Sequence, residues 1–213
     1  MIRAYVHKIG LLRDTIDAVD AQLSLQSSEK SGVSSGKSRI LDQVSWSRPP
    51  SDYCKVNFDG SKLPNGQASF GFVIRDTEGE VLLCGAGALD SSKSILVVEA
   101  RGLCEGIRGA ISLGIGKIVI EGDNLVVVNS IRNIWKIPWT INSIVLDASE
   151  DLKHVEDVQI RHAFREANAA ADWMAHRCHT TTNTTYWFDV LDFPYVVIIC
   201  KDALWWPKYW DPL

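Results

Sequence analysis

The feature that most constrains the fold is a change in hydrophobic period along the middle of the chain. Apolar and polar residues first alternate in three strand-like segments, from Cys54 to Asp59, from Phe70 to Arg75 and from Val81 to Leu89. The pattern then becomes helical from Glu99 to about Leu113, and the almost wholly apolar run from Lys117 to Ile120 follows. Because a helix between two strands supplies a crossover, the first and fourth strands are predicted to be parallel neighbours.

The rest of this central region continues to alternate between helices and strands. Asp123 or Asn124 is expected to cap a helix that ends near Ile131. The segments that follow are predicted to be a helix (Thr140 to Lys153), a strand (Val158 to Arg161) and a helix (Ala167 to about Cys178). The predicted order is β-β-β-α-β-α-α-β-α, which is typical of an α/β domain with a mixed sheet.

The segments on either side of this region differ from it in composition. Residues 1–45 are expected to form an amphipathic helix, reaching about Gln26, and a flexible linker rich in Ser, Gly and Lys. Residues 46–180 are expected to form the folded domain. Residues 181–213 are a Trp-rich C-terminal extension, and the sequence leaves open whether it packs on the domain or is exposed.

Composition argues against several classes of protein. The hydrophobic fraction of 46% and the charged fraction of 23% are typical of a globular chain. The formal net charge of -4 counts against tight, charge-driven binding of nucleic acid. Five cysteines without a CxxC pair favour buried thiols over a zinc site or disulfides. With no secretory signal and no run long enough to span a membrane, a nuclear or cytoplasmic protein with no membrane partner is expected.

Four acidic residues lie at the borders of apolar segments: Asp59, Glu99, Asp123 and Asp172. Asp59 and Asp123 are expected at the carboxyl ends of two parallel strands, where functional groups gather in open α/β sheets. Glu99 is expected in the first turn of the crossover helix, and Asp172 on the final helix, which can lie across the same edge. Taken singly, most of these acids have an ordinary explanation as a turn residue, a helix N-terminal charge or an N-cap. In this order, all four are predicted to converge.

Carboxylates that converge repel one another unless a cation is bound between them. Two carboxylates about 4 Å apart repel by roughly 4 kcal/mol at an effective dielectric constant of about 20. Oxygen ligands favour Mg²⁺, with Mn²⁺ as the alternative, and two such ions can clamp the attacking and leaving oxygens of a phosphoryl displacement. The sequence therefore predicts two metal ions bound by the four acids, and phosphodiester chemistry.

Other polar side chains near these acids are candidate functional residues. Histidine is the side chain that titrates near neutral pH, so His162, after the last predicted strand, can move protons or assist product release. The alternative for His162 is a surface loop histidine. Arg165 and Asn168 are predicted to contact phosphate or to cap the final helix, with capping favoured for Asn168. Gly60 and Ser61, next to Asp59, complete the predicted set of nucleic-acid contacts.

Four short motifs resemble those of one enzyme family. They are Asn57-Phe58-Asp59-Gly60-Ser61, Val98-Glu99-Ala100, Glu121-Gly122-Asp123-Asn124 and the run from His162 to Asp172. In this order, over about Trp46 to Thr180, they resemble the type 1 ribonuclease H family. The similarity is greatest to its plant, reverse-transcriptase-like branch, which is associated with non-LTR retroelements. The lead-in Trp46-Ser47-Arg48-Pro49-Pro50 is similar to that branch's entry into its first strand.

This resemblance implies an RNase H-like fold, with a five-stranded mixed sheet and helices on both faces. It implies that Asp59, Glu99, Asp123 and Asp172 bind Mg²⁺, and that His162 occupies the position of the family's mobile histidine. It also implies endonucleolytic cleavage of the RNA strand of RNA–DNA hybrids, which leaves 5′-phosphate and 3′-hydroxyl ends. The implied partner is the hybrid itself, and the oligomeric state stays open.

The sequence departs from some members of that family in the segment that would grip the DNA strand. Those members carry a basic, Trp-containing handle between the middle helices, whereas Asn133 to Trp139 is short and weakly basic here. Between Cys54 and Thr180 there are 13 Lys and Arg residues against 16 Asp and Glu residues, which predicts weak and salt-sensitive hybrid binding. Two alternatives stay open. One is a catalytically weak or inactive module that binds nucleic acid or a protein partner, and the other is an exonuclease or integrase-like enzyme of the same fold.

Overall fold

A computed structural model describes residues 45–179 and 183–188 of the chain. The predicted N-terminal helix and linker, and most of the Trp-rich extension, lie outside the described residues, so the predicted domain boundaries stay predictions. The strands are β1 (Cys54–Lys62), β2 (Ala68–Arg75), β3 (Val81–Leu89), β4 (Lys117–Gly122), β5 (Asp157–His162) and β6 (Thr185–Trp187). They form one mixed sheet in the order β5-β4-β1-β2-β3-β6.

The first strand lies at the centre of the sheet. β1 pairs antiparallel with β2 along its length. It also pairs in parallel with β4, from Cys54 opposite Ile118 to Asn57 opposite Glu121. The predicted parallel pairing of the first and fourth strands is therefore confirmed, and β5 extends the parallel part of the sheet on the far side of β4.

The sheet of the described residues has six strands, so the prediction of five strands is wrong by one. The additional strand, β6, pairs antiparallel with residues 84–86 of β3. It is three residues long and lies in the segment predicted as an extension. Period-two alternation cannot identify so short a strand, because its hydrogen bonds to β3 define it rather than its own pattern.

Within the described residues, four α-helices cover the sheet. They are α1 (Ile95–Ser112), α2 (Leu125–Ile131), α3 (Asn142–Asp151) and α4 (Ala169–Arg177), with 3₁₀ turns at Trp139–Ile141, Leu152–His154 and Arg165–Asn168. α1 begins before its predicted start, because the Ser94 side chain caps it by accepting a hydrogen bond from the Val97 amide. Glu99 is therefore the fifth residue of α1, and the prediction that it lies in the first turn of this helix is wrong. None of the helices in residues 45–179 and 183–188 is long and apolar enough to cross a membrane.

Helices pack on both faces of the sheet. On one face, Leu103 and Ile107 of α1 join Phe58 and Phe72 in a core that is closed to solvent. On the other face, α4 contributes Met174 and small apolar residues to a second, smaller core with β2 and β3. The predicted class is therefore confirmed: an α/β fold of the RNase H-like type, with a mixed sheet between helices.

The polar residues of β1 are buried rather than solvated. Lys55 and Asn57 are 1% and 0% exposed. The Trp46 indole and the Arg75 guanidinium each donate a hydrogen bond to Asn57 Oδ1 at 3.0 Å, and Arg75 Cζ lies 3.7 Å from the centroid of the Trp46 ring. The lead-in segment before β1 therefore covers one face of the sheet, and a strand whose sequence alternates is buried on both sides.

Gly71 sets the distance between β2 and α4. A Cβ atom at this position would lie 2.3 Å from the backbone nitrogen of Ala175 and 2.7 Å from the carbonyl carbon of Met174. Backbone atoms of a packed helix cannot move aside as the end of a flexible side chain can. The absence of a side chain at Gly71 therefore lets α4, which carries Asp172, lie directly on the sheet.

We expect Gly71→Ala to lower the free energy of unfolding by about 3 kcal/mol, because the added methyl group pushes α4 away from β2. Gly116→Ala is the matched control, since a Cβ atom there would first meet the flexible Glu156 carboxylate at 3.2 Å. The effect of the control should stay within about 0.5 kcal/mol. Urea denaturation followed by circular dichroism measures both variants. Equal stabilities would show that α4 does not rest on Gly71.

Candidate metal centre

Asp59 and Asp123 lie where the two central parallel strands diverge. The parallel pairing of β1 and β4 ends at Asn57 and Glu121, so each aspartate is two residues beyond the last pair. β1 itself continues along β2 to Lys62, which corrects the prediction that this strand ends at Asp59. Both acids are nevertheless at the carboxyl edge of the parallel pair.

Asn124, rather than Asp123, caps α2. Its side-chain oxygen accepts hydrogen bonds from the amides of Val126 at 3.1 Å and Val127 at 3.3 Å. The sequence had left both residues open as the cap. Because Asn124 takes this role, the Asp123 carboxylate is available to the neighbouring acids.

Glu99 reaches the same place from α1. This helix runs so close to β1 that a Cβ atom at Gly60 would lie 2.8 Å from the Glu99 backbone nitrogen. Carboxylate oxygens of Asp59, Glu99 and Asp123 all lie within 4.8 Å of one another. Three of the four predicted acids therefore form one group, which we call the acid cluster, and the lack of a side chain at Gly60 makes room for it.

Burial makes negative charge costly in the acid cluster. Asp59 and Glu99 are only 4% and 5% exposed. Burial, followed by the charge of Asp123, raises the pKa of Asp59 to about 8. Burial, followed by the charges of Asp59 and Asp123, raises the pKa of Glu99 to about 10. The pKa of Asp123 is also raised, mainly by burial and against the opposing effect of Arg165. Without a cation, the acid cluster therefore holds protons at neutral pH.

The acid cluster has the donor atoms that a hard divalent cation requires. All three side chains offer carboxylate oxygens, which Mg²⁺ and Mn²⁺ prefer. The buried Oε2 atom of Glu99 has no hydrogen-bond partner among the described residues, although buried polar atoms normally have one. A cation would satisfy that oxygen and lower the pKa of each acid. These residues therefore fit a divalent metal.

The fourth acid, Asp172, lies beside the acid cluster. It shares a side-chain hydrogen bond with Asp59, and this contact contributes to the raised pKa of Asp59. Arg165 Nη2 donates a hydrogen bond to Asp172 Oδ1 at 2.9 Å, and His176 Nδ1 lies 3.5 Å from Asp172 Oδ2. Asp172 therefore contacts the acid cluster through Asp59, while basic side chains contact its other atoms.

His162 borders the acid cluster from the end of β5. Its Nε2 atom lies 3.0 Å from the backbone oxygen of Asp123. Its ring meets the Phe164 ring edge-on, with centroids 5.6 Å apart. The imidazole is half-buried and so remains accessible to solvent. The structure brings His162 close to the acids, and its part in proton transfer stays a prediction.

Asn168 uses its polar atoms inside the fold. It is 0% exposed, donates a hydrogen bond to the Phe58 backbone oxygen at 2.8 Å and accepts one from Asn57 Nδ2 at 3.2 Å. It occupies the N-cap position of α4, but its side chain makes no capping hydrogen bond there, unlike the capping role that was favoured. The amide instead joins the 3₁₀ turn before α4 to the central strand.

The other predicted nucleic-acid contacts differ in their exposure. Gly60 is the site of close approach between β1 and Glu99. Ser61 is 5% exposed, and its hydroxyl lies 3.1 Å from His179 Nε2. The Arg165 side chain is 72% exposed. Contact with nucleic acid stays a prediction for all of these residues and for Asn168, and exposure favours Arg165.

Asn57 is a supporting residue that sequence reasoning missed. It accepts hydrogen bonds from Trp46 and Arg75 and donates one to Asn168. A signal was present in the sequence, because Asn57 lies two positions before Asp59 and side chains at that spacing in a strand share a face. A polar residue on the same face as a predicted metal ligand indicates a buried polar support for the site.

We expect the metal-free protein to lose stability as the pH rises from about 5 to about 8. Asp59 and Glu99 have raised pKa values in the fold, about 8 and about 10, so the folded state binds more protons than the unfolded state in this range. The free energy of unfolding in EDTA should fall by several kcal/mol, because two acids each contribute up to about 1.4 kcal/mol per pH unit. Glu99→Gln should flatten this profile, whereas Glu80→Gln, at an exposed position, should leave it unchanged.

Divalent metal should oppose this loss. At the upper end of the same pH range, Mg²⁺ should raise the melting temperature of wild type and of Glu80→Gln more than that of Glu99→Gln, because ligands that bind the folded state stabilise it. Differential scanning fluorimetry measures the shifts. A wild-type stability that rises with pH in EDTA, or a melting temperature that does not respond to Mg²⁺, would contradict this account of the acid cluster.

Comparison with known proteins identifies a family for the chain. The family model described as reverse transcriptase-like matches residues 57–178. A protein of Arabidopsis thaliana that is named for ribonuclease H is 27% identical over 168 residues, which cover 78% of this chain and 27% of that protein. The chain therefore spans about a quarter of the length of this relative.

Solved structures of RNase H domains share the fold. The N-terminal RNase H domain of a Mycobacterium tuberculosis protein has a TM-score of 0.57 and 23% identity, over 60% of this chain and 93% of its own. RNase H1 of Halobacterium salinarum has a TM-score of 0.55 and 24% identity, and the match covers 58% of this chain and 95% of that protein's chain. LC11-RNase H1, solved with an RNA/DNA hybrid, has a TM-score of 0.54 and 19% identity, and the match covers 59% of this chain and 95% of that protein's chain. With the family match over more than half of its length, the chain belongs to the reverse transcriptase-like family and carries an RNase H domain of the plant type.

Proposed function

We propose that this chain is an endoribonuclease that cleaves the RNA strand of RNA–DNA hybrids by two-metal-ion phosphodiester hydrolysis, leaving 5′-phosphate and 3′-hydroxyl ends. The observation that carries this proposal is the acid cluster, whose carboxylate oxygens lie within 4.8 Å of one another. Buried acids at this spacing destabilise a metal-free fold, and a bound cation explains why they are present. The Arabidopsis relative supports the reaction class, and LC11-RNase H1, which was solved with a hybrid, supports the substrate.

Asp59, Glu99 and Asp123 would hold the metal, and Asp172 would complete the ligand set from α4. When bound, Mg²⁺, or Mn²⁺ in its place, supplies the positive charge that polarises a phosphate and makes an attacking water more acidic. The four acids come from β1, α1, the end of β4 and α4. Because packed elements rather than one loop carry these side chains, the fold itself holds them in position for an incoming phosphate.

His162 would handle protons at the edge of the acid cluster. A hydrogen bond from its Nε2 to the Asp123 backbone oxygen assigns a proton to Nε2 and leaves Nδ1 as the acceptor in the neutral ring. The half-buried ring connects the site with solvent. We therefore assign to His162 the exchange of a proton between the reacting oxygens and bulk water.

Arg165 would bind phosphate oxygens of the hybrid. Its guanidinium is the exposed cation beside the acids, and its fork of N–H donors matches phosphate geometry. Discrimination of RNA from DNA would depend on contacts to 2′-hydroxyl groups across the minor groove. The excess of acidic over basic residues between Cys54 and Thr180 makes affinity for the hybrid low and salt-sensitive.

A second candidate function is a catalytically weak or inactive module that binds nucleic acid or a protein partner. The observation that favours it is the segment between α2 and α3, where Trp135 and Trp139 are 47% and 89% exposed. Exposed aromatic residues are more typical of binding surfaces than of the general protein surface. The same segment is only weakly basic, unlike a handle that grips DNA.

We expect wild-type protein with Mg²⁺ to cleave an RNA–DNA hybrid, and Asp123→Asn to lose at least about a hundredfold in kcat/KM, since it removes a metal ligand. Asp147→Asn is the matched control, because Asp147 is an exposed acid on α3, and it should retain activity. Gel analysis of end-labelled RNA strands separates internal from terminal cleavage. A folded wild type that does not cleave, or equal cleavage by wild type and Asp123→Asn, would overturn the proposal. Tight binding without turnover and without Mg²⁺ would favour the binding module.

We expect His162→Ala to lower kcat by about a hundredfold with little change in KM, because a proton-transfer group acts on the reaction rather than on binding. His154→Ala, at an exposed position in the 3₁₀ turn after α3, is the matched control. Steady-state cleavage measured across pH tests the assignment. A pH–rate profile that is identical in wild type and His162→Ala would remove His162 from the mechanism.

A further inference from the structure

We propose that Arg165 is a placeholder cation, a side chain that pairs with Asp172 in the free protein and transfers to a substrate phosphate when metal and hybrid bind. This proposal rests on the proposed function, since the phosphate belongs to the hybrid. It makes Arg165 a positioning residue that acts through Asp172 before it contacts the substrate. It also predicts that metal binding and phosphate binding at this site are coupled.

The fourth acid, Asp172, forms an ion pair with Arg165 and is not a member of the acid cluster. Arg165 Nη2 lies 2.9 Å from Asp172 Oδ1. Asp172 is not among the acids whose oxygens approach within 4.8 Å of one another, although it shares a hydrogen bond with Asp59. The carboxylate that would complete the metal site is thus within reach of the acid cluster while it is paired with a cation of the protein.

The charge of Arg165 also acts on the rest of the site. The hydrogen bond to Asp172 and the charge of Asp172, followed by the smaller effects of the charges of Asp59 and Asp123, raise the pKa of the Arg165 guanidinium. In the other direction, Arg165 opposes the burial that raises the pKa of Asp123. His176, 3.5 Å from Asp172 Oδ2, faces the same carboxylate from α4. Arg165 therefore partly neutralises the acids in the absence of metal.

The geometry allows the Arg165 side chain to move while its backbone stays fixed. The residue begins the 3₁₀ turn Arg165–Asn168. The other end of that turn is held by the hydrogen bonds of buried Asn168. The Arg165 side chain, in contrast, is 72% exposed, whereas that of Asp172 is 28% exposed. A long exposed side chain on an anchored turn can exchange one anionic partner for another without a change of fold.

Bound cations at Asp172 would weaken the attraction between this carboxylate and Arg165, because they neutralise its charge. A phosphate at the site would offer the guanidinium a new anionic partner with matching geometry. In the free protein, Arg165 and a metal ion therefore compete for Asp172. In the complex with hybrid, Arg165 and metal ions act together on the phosphate.

Isothermal titration of the chain with Mg²⁺, in the absence of nucleic acid, tests this competition. Arg165→Gln should tighten Mg²⁺ binding by about three- to tenfold, because it removes the competing charge. Arg165→Lys keeps the charge and should stay within about twofold of wild type. Arg132→Gln, at the C-terminal end of α2, removes the same charge at a distance and serves as the matched control. Mg²⁺ affinity that is unchanged or weaker in Arg165→Gln would overturn the placeholder role.

A double-mutant comparison isolates the part played by Asp172. In an Asp172→Asn background, the additional Arg165→Gln change should increase Mg²⁺ affinity by clearly less than it does in wild type, since the ion pair no longer exists and only the weaker effect of Arg165 on Asp59 and Asp123 remains. An equal gain in both backgrounds would show that Arg165 acts without Asp172 and would overturn the proposal.

Cleavage assays separate this proposal from the proposed function. Arg165→Gln should raise KM for the hybrid by about tenfold, and the salt dependence of hybrid binding should decrease by about one phosphate contact. An unchanged KM would show that Arg165 does not transfer to phosphate and would overturn that step. Tighter Mg²⁺ binding by Arg165→Gln in a protein that does not cleave hybrids would support the competition for Asp172 and overturn the proposed function instead.

Discussion

The buried side chain of Asn168 joins two parts of the chain that lie 110 residues apart, because it donates a hydrogen bond to the Phe58 backbone oxygen at 2.8 Å. Its oxygen accepts a second hydrogen bond from Asn57. Through these contacts the segment that carries His162, Arg165 and Asp172 is attached to the strand that carries Asp59. A buried amide left without partners is strongly destabilising, so this arrangement is held by a requirement of folding and not only by the function of the site.

The buried acids lower the stability of the metal-free folded state, and the rest of the fold must offset this loss. Asp59 and Glu99 are buried beside one another with raised pKa values. The opposite side of β1 contributes Phe58 to a core of fully buried apolar residues that includes Ile107 of α1. Stability therefore comes from the core between the sheet and α1, whereas the carboxyl edge of the sheet works against it. Functional sites commonly contain such unfavourable arrangements within a stable scaffold.

Much of the scaffold could be predicted from sequence, because the strands and helices have clear periods. The parallel pairing of β1 and β4 followed from the helix between them, and the meeting of Asp59 and Asp123 followed from that pairing. The exact starts of the helices depend on local hydrogen bonds, which hydrophobic periodicity does not reveal. Ser94 caps α1, so this helix begins before Glu99, and Asn124 caps α2. Burial of Lys55 could not be predicted from the alternation of β1, since it depends on contacts with Ser47 and Trp46 of the lead-in segment.

The position of Trp46 has a consequence for the extent of the folding unit. The family match begins at residue 57, yet Trp46 is 1% exposed and donates a hydrogen bond to Asn57. At the other end, β6 pairs with β3 beyond the last matched residue, 178. The segment matched by the family model is therefore smaller than the unit that buries its own polar groups. A chain cut to that segment would open Arg75 and Asn57 to water and leave β3 as a bare sheet edge, which favours association between copies.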